Sequence, residues 1–129
     1  MASVFTKILN GELPGYKIYE DEFCFAILAL DQVNLGHSLV IPKVEVDSFI
    51  DTPEPYYSAV FTAAKKISSA IRTASGAPRV GSIIAGFEVN HFHLHLIPAW
   101  SIPELSFSRA QRRSSEEMLE MQSKIKKLL

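Results

Sequence analysis

The stretch Asn90-His91-Phe92-His93-Leu94-His95-Leu96-Ile97-Pro98 decides how this chain is read. It holds three of the four histidines in 129 residues, at strict two-residue spacing, with Phe92, Leu94 and Leu96 alternating against them. Successive side chains of a strand point to opposite faces. The alternation therefore predicts a strand over His91–Ile97 with three imidazoles on one face and three hydrophobes on the other. Same-face neighbours then stand about 6.5–7 Å apart, at a rise of about 3.3 Å per residue. Pro98 has no amide proton and predicts the end of the strand. An apolar face buried in a sheet aims the imidazoles at a cleft or at solvent, where such a row suits either a metal or a phosphate. A metal site draws three or four ligands from His, Cys and carboxylates. A phosphoryl site needs a nucleophile or base, plus donors around the phosphate oxygens. Imidazole serves as nucleophile, proton shuttle or donor near neutral pH.

Working outward, Val80–Ala85 reads as a neighbouring strand. Between Glu54 and Ser75 the apolar residues Tyr57, Val60, Phe61, Ala64, Ile67, Ile71 and Ala74 recur at steps of three and four. This spacing predicts an amphipathic helix stopped by Gly76, with Phe61 and Ile67 in the core. Val44–Asp51 reads as a connector with a short helical turn, His37–Ile41 as a strand ended by Pro42, and Asp31–Gly36 as a loop. Tyr16–Glu20 and Glu22–Leu30 form a predicted hairpin around Glu20-Asp21-Glu22, and Ser3–Asn10 a short helix stopped by Gly11. Beyond the histidines, Ser114-x-x-Glu117 has the form of a capping box for a last helix carrying Met118, Met121, Ile125 and Leu128. Lys124, Lys126 and Lys127 complement the dipole of that helix and read as a solvated face. The order of elements predicts an α+β fold in one domain over residues 1–129. A five-stranded, mainly antiparallel sheet is joined by one long helix, a short N-terminal helix and a C-terminal helix at about 114–128.

Composition narrows the class. With 47% hydrophobic and 21% charged residues the chain has an ordinary globular balance. A net charge of −1 provides no electrostatic footprint for nucleic acid. The longest apolar run, Phe23–Leu30, is too short for a membrane span. No basic segment leads into an apolar core at the N-terminus, so no secretory signal is read. The single cysteine, Cys24, reads as a small buried hydrophobe. Together these features predict a cytoplasmic protein.

His91-Phe92-His93-Leu94-His95-Leu96-Ile97 resembles the signature of the histidine-triad (HIT) nucleotide hydrolases and transferases. Phe5-Thr6-Lys7-Ile8-Leu9-Asn10-Gly11-Glu12-Leu13-Pro14 and Tyr19-Glu20-Asp21-Glu22 resemble the opening of that family. Gly36-His37-Ser38-Leu39-Val40-Ile41-Pro42-Lys43 resembles its second motif, and Ala85-Gly86 fits just before the triad. The resemblance covers about residues 3–100, and Gly86-Phe87-Glu88-Val89 is similar to a bacterial branch with Gly-hydrophobe-Glu-Val at this place.

The resemblance implies a HIT-like fold, usually a homodimer, and attack by the middle histidine, here His93, on the α-phosphorus of a nucleotide conjugate. A covalent nucleotidyl-histidine forms, and water releases a nucleoside monophosphate such as AMP. His91 and His95 would orient His93 and hold phosphate oxygens, while His37 either supports the triad or is an ordinary loop-edge histidine. Glu88 stands where relatives carry a hydroxyl residue that contacts the phosphate or leaving group. A carboxylate there repels phosphate unless protonated or turned away, or else accepts from a triad histidine or an amine leaving group. With Val89, Glu88 is read as substrate-binding. Phe5, Ile8, Ile27 and Leu30 line a base pocket or belong to the core, the latter reading favoured for Leu30. Ala29 occupies the place of a ribose-binding aspartate, for which Asp31 is a candidate substitute. A family asparagine has no counterpart in Arg79-Val80-Gly81-Ser82-Ile83.

Some relatives bind zinc through two N-terminal cysteines, the histidine at the His37 position and the first triad histidine. Ser3 and Thr6 stand at both cysteine positions, so no metal and no cofactor is expected. The expected activity is that of a phosphoramidase-like nucleotide hydrolase with a small-molecule substrate. Two alternatives stay open here: a catalytically weak nucleotide-binding regulatory protein, and a metal-dependent hydrolase with the three histidines as ligands.

Overall fold

The computed structural model describes residues 2–129 of the protein. Helix α1 (Val4–Leu9) is capped by Ser3, whose hydroxyl accepts from the Thr6 amide. Strands β1 (Lys17–Glu20) and β2 (Cys24–Leu28) make the antiparallel hairpin. The short β3 (Asp31–Gln32) precedes β4 (Ser38–Pro42), and the connector contains a 3-10 turn at Phe49–Asp51. Helix α2 (Tyr56–Ser75) ends at Gly76, which takes the left-handed conformation at φ +77° that a helix stop favours. Strands β5 (Arg79–Ile83), β6 (Leu94–Ala99) and β7 (Gln111–Arg112) lead to helix α3 (Ser115–Lys127), whose capping box Ser114–Glu117 makes both reciprocal bonds.

The main sheet runs β1-β2-β4-β6-β5, and every recorded pairing is antiparallel. All five residues of β2 are buried because both faces of the sheet are covered. Cys24, Ala26, Leu28, Val40, Leu94 and Leu96 point to the α2 side, packing with Val60, Ile67 and Ile71. Phe25, Ile27, Leu39 and Ile41 point the other way and pack with Phe5. Burial is the main source of stabilisation, at about 25 cal/mol per Å² of apolar surface. The Cys24 thiol, fully buried, is pushed up to about 12, first by burial and then by the Asp21 carboxylate. No helix among the described residues is long and apolar enough to cross a membrane.

Three expectations are corrected. Phe61 is not core: it lies 38% exposed beside Tyr57 on the flank of α2, because the buried stripe follows Val60, Ala64, Ile67 and Ile71. Leu30 is 41% exposed, having left the hairpin before the chain turns into β3. The triad strand is shifted: β6 starts at Leu94 rather than His91 and continues through Pro98. Pro98 is tolerated because β4 pairs with β6 only as far as Leu96, leaving no ladder bond on that side for the missing amide. At the other end, the His91 carbonyl accepts from the His93 side chain, and the Phe92 amide donates to Val46. These bonds hold His91–His93 outside the ladder.

Candidate active site

The second face of the sheet, together with α1, encloses a cavity of about 320 Å³. Val4, Phe5, Ile8, Ile27, Leu30 and Leu39 form its apolar wall, and His37, His93 and His95 its floor of imidazoles. Asp31, Glu88, Val89, Phe107 and Ala110 complete the lining. The sequence-predicted residues Phe5, Ile8, Ile27, Asp31, His37, Glu88, Val89, His93 and His95 are thus brought to one cavity. Ala29 is buried behind it, its amide donating to the His37 carbonyl.

His91 stands apart from this cavity. It is fully buried, its Nε2 lies 2.7 Å from the Pro42 carbonyl and its Nδ1 2.6 Å from the Ser3 hydroxyl. A carbonyl only accepts, so Nε2 carries the proton and Nδ1 accepts from Ser3. Neither nitrogen is left for a phosphate or a metal. The His91 ring still lies on the α1 side of the sheet, 5.8 Å from Phe5, while Phe92 packs on the α2 side. The alternation of faces thus continues to His91 although the regular strand begins only at Leu94.

The other tautomers follow in the same way. The Val33 amide donates to His37 Nδ1 at 3.2 Å, so the proton of neutral His37 resides on Nε2. That Nε2 donates to His95 Nδ1 at 2.9 Å, which places the His95 proton on Nε2. His95 Nε2 is buried and has no hydrogen-bond partner among the described residues. It is a donor without an acceptor, an arrangement that buried polar atoms rarely keep unless a ligand completes it. His93 is held from behind: its Nδ1 donates to the His91 carbonyl at 2.8 Å, leaving a lone pair on Nε2. Its ring packs edge-on against Phe5 and His95, each at 4.9 Å between centroids.

Burial lowers the affinity of these rings for a second proton. His37 falls to about 4, through burial and then the nearby His93. His95 falls to about 3, through burial and then His37 and His93. His91 is also lowered, chiefly by burial. Neutral imidazole is required for the tautomer chain, so burial and hydrogen bonding support each other.

His37 owes its place to Gln32, which is fully buried. The Gln32 amide donates to the Ala29 and His37 carbonyls and accepts from the Gly36 amide at 2.8 Å. Gly36 turns the chain at φ +111°, where an added Cβ would lie 3.3 Å from Pro98. Gln32, Phe107 and Ala110 have no signal in the sequence pattern. Phe107 packs on His95 at 4.7 Å because the segment after β6 returns across the site. Arg109 donates to Asn34 at 2.9 Å and Arg112 pairs with Asp31 at 2.9 Å, and these bonds hold that segment down.

No group of three or more His, Cys, Asp or Glu side chains among the described residues is placed to hold a metal. His37 joins His95, and Glu45 is the residue that meets Ser3 and Thr6.

The chain is 36% identical over 117 residues to "Adenylylsulfatase HINT3" of Arabidopsis thaliana, covering 87% of this chain and 59% of the plant protein. It is 26% identical to "Adenosine 5'-monophosphoramidase HNT1" of Saccharomyces cerevisiae, over 94% of this chain and 84% of the yeast protein. The solved structure of a Hit-like protein from Bartonella henselae superposes with a TM-score of 0.85 at 26% identity, covering 98% of this chain and 96% of that one. Residues 10–101 match the HIT domain, and the chain belongs to the HIT family.

Proposed function

We propose that this chain is a phosphoramidase-like nucleotide hydrolase in which His93 attacks the α-phosphorus of a small nucleotide conjugate. The observation that carries the reading is the fixed tautomer of His93, whose Nδ1–H is held by the His91 carbonyl at 2.8 Å. Such a ring directs its Nε2 at an electrophile, the orientation that nucleophilic attack needs. The P–Nε2 bond forms as the bond from phosphorus to the leaving group breaks, and the leaving group takes up a proton from solvent, which the attacking water gives back in the second step. Water then attacks phosphorus, the P–Nε2 bond breaks, and the nucleoside monophosphate leaves. His95 Nε2–H, lacking a partner among the described residues, donates to a non-bridging oxygen as charge builds there. His37 acts one step back by holding the His95 tautomer.

The cavity supports a small conjugate rather than a polyphosphate. Among the described residues its lining has two carboxylates, Asp31 and Glu88, and no lysine or arginine. Aromatic and aliphatic side chains make up most of the wall, as suits a base. The yeast relative is a monophosphoramidase by name, and an amine leaving group suits Glu88 better than an anionic one does. The deciding experiment is hydrolysis of adenosine phosphoramidate by exhaustively chelated protein. Turnover to AMP supports the reading. No turnover, or turnover restored only by added zinc, rejects it.

A homodimer belongs to the same proposal. β5 is an edge strand of the sheet, and Trp100 and Ile102 stand 54% and 84% exposed around the groove beside it. Edge strands with apolar neighbours pair with other chains. Sedimentation at micromolar concentration checks this, and a monomer would reject it. A reducing, cytoplasmic setting suits the single buried thiol.

A further inference from the structure

Ser3, Thr6, Glu45 and His91 form a closed hydrogen-bonded cluster on the side of His93 away from the cavity. The Ser3 hydroxyl meets His91 Nδ1 at 2.6 Å and accepts from the Thr6 amide at 3.1 Å. Glu45 accepts from the Thr6 hydroxyl at 2.7 Å and from the Ser3 amide. Its carboxyl is held down at about 2, first by the Ser3 amide and then by the Thr6 hydroxyl. A zinc ion does not fit here. Only Glu45 and His91 are zinc-ligand types, and the serine hydroxyl already bonds directly to the imidazole nitrogen.

We propose that Ser3 and Glu45 are positioning residues for the nucleophile, acting through His91 in place of a metal. Each link is an observed bond. Glu45 fixes the start of α1, and α1 presents the Ser3 hydroxyl. Ser3 then donates to His91 Nδ1, which leaves the His91 proton on Nε2, bonded to Pro42 of β4. With its ring tied at both nitrogens, residue 91 cannot turn, and its carbonyl stays aimed at His93 Nδ1. Loss of the Ser3 hydroxyl unties Nδ1, leaves the ring held only through Nε2–H to Pro42, and loosens the carbonyl that sets the His93 lone pair. The chain thereby links the N-terminal segment to the reacting atom through bonds that an isolated helix cap would not need.

This inference rests on His93 being the nucleophile, so its test reads tautomers as well as turnover. The proteins are full-length wild type, Ser3→Ala, Ser3→Thr and Glu45→Ala. For each, kcat and KM for adenosine phosphoramidate are measured, together with the ¹⁵N resonances of the histidine rings. Ser3→Ala is expected to lower kcat roughly ten- to hundredfold with KM nearly unchanged, the usual scale for losing an outer hydrogen bond to an active imidazole. It should also lose the His93 Nδ1–H signature. Ser3→Thr, which keeps the hydroxyl, should restore both, and Glu45→Ala should fall between. A Ser3→Ala protein with a lower melting point but wild-type kcat and His93 tautomer would overturn the proposal, leaving the cluster as a helix cap. So would a Ser3→Thr protein that behaves like Ser3→Ala. If Ser3→Ala does not fold, Glu45→Ala decides by the same two readouts. If wild type turns nothing over, the nucleophile reading fails, and the tautomers alone decide whether the cluster orients His93.

Discussion

His37 Nε2 donates to His95 Nδ1 at 2.9 Å, and this bond decides which nitrogen of His95 offers a proton to the cavity. The donor on His37 is itself set by the Val33 amide at its other nitrogen. Two residues distant in sequence thereby prepare one oxyanion donor. His37→Ala should release the His95 tautomer and lower kcat for adenosine phosphoramidate about 10–100-fold, while His95→Ala should cost about 10–10³-fold. Steady-state kinetics of the two variants check the order, and an equal or greater loss in His37→Ala would reverse it.

Acid should destabilise the fold before it unfolds completely. In the unfolded chain both imidazoles take protons near pH 6.5, but in the fold His37 waits until about 4 and His95 until about 3. The unfolded state therefore binds more protons between these limits. Stability is fully present above about pH 6.5 and is lost as pH falls through the window, at about 1.4 kcal/mol per pH unit for each imidazole. Urea midpoints at pH 7 and pH 5 should differ clearly in wild type and less in a His37→Asn, His95→Gln double variant. Equal shifts in both proteins would place the acid sensitivity elsewhere.

Ribose recognition should be weak. Ala29 offers no acceptor and is buried behind the cavity, while Asp31, though on the lining, is paired with Arg112 at 2.9 Å. A 2′,3′-dideoxy substrate should lose less than about tenfold in kcat/KM, against the 10⁴-fold or more typical of a site built around a hydroxyl. A large loss, abolished in Asp31→Ala, would show Asp31 acting as the ribose acceptor.

The sheet and its helices should depend on α2 packing more than on any polar contact. Ile67 is fully buried in the core between α2 and the sheet. Ile67→Ala should cost about 2–5 kcal/mol in chemical denaturation. The exposed Arg112–Asp31 pair should contribute no more than about 1 kcal/mol. Comparable losses in Ile67→Ala and Arg112→Ala would contradict this ranking.

The sequence disclosed those features that repeat along one element. The three-and-four spacing of Val60, Ala64, Ile67 and Ile71 specified α2, and Ser114 with Glu117 specified the start of α3. Phe92, Leu94 and Leu96 were legible as core because alternation and burial have the same period. What periodicity cannot encode is a bond between distant residues. The ties that hold the His91 ring run to Ser3 and Pro42, and the His37 tautomer depends on an amide at Val33. Phe107 reaches His95 only because Arg109 and Arg112 hold a returning segment, so the far wall of the cavity had no sequence signal. Pro98 misled for a related reason: its effect depends on where β4 ends.

The central claim is covalent attack by His93. Protein mixed with adenosine phosphoramidate, quenched within milliseconds and kept from acid, should carry one adenylyl group per chain by mass spectrometry. Fragmentation should map it to His93. His93→Ala should show no adduct and almost no turnover, since its neighbours His91 and His95 have nitrogens committed to Ser3, Pro42 and His37. An adduct on another residue, or full turnover in His93→Ala, would contradict the account.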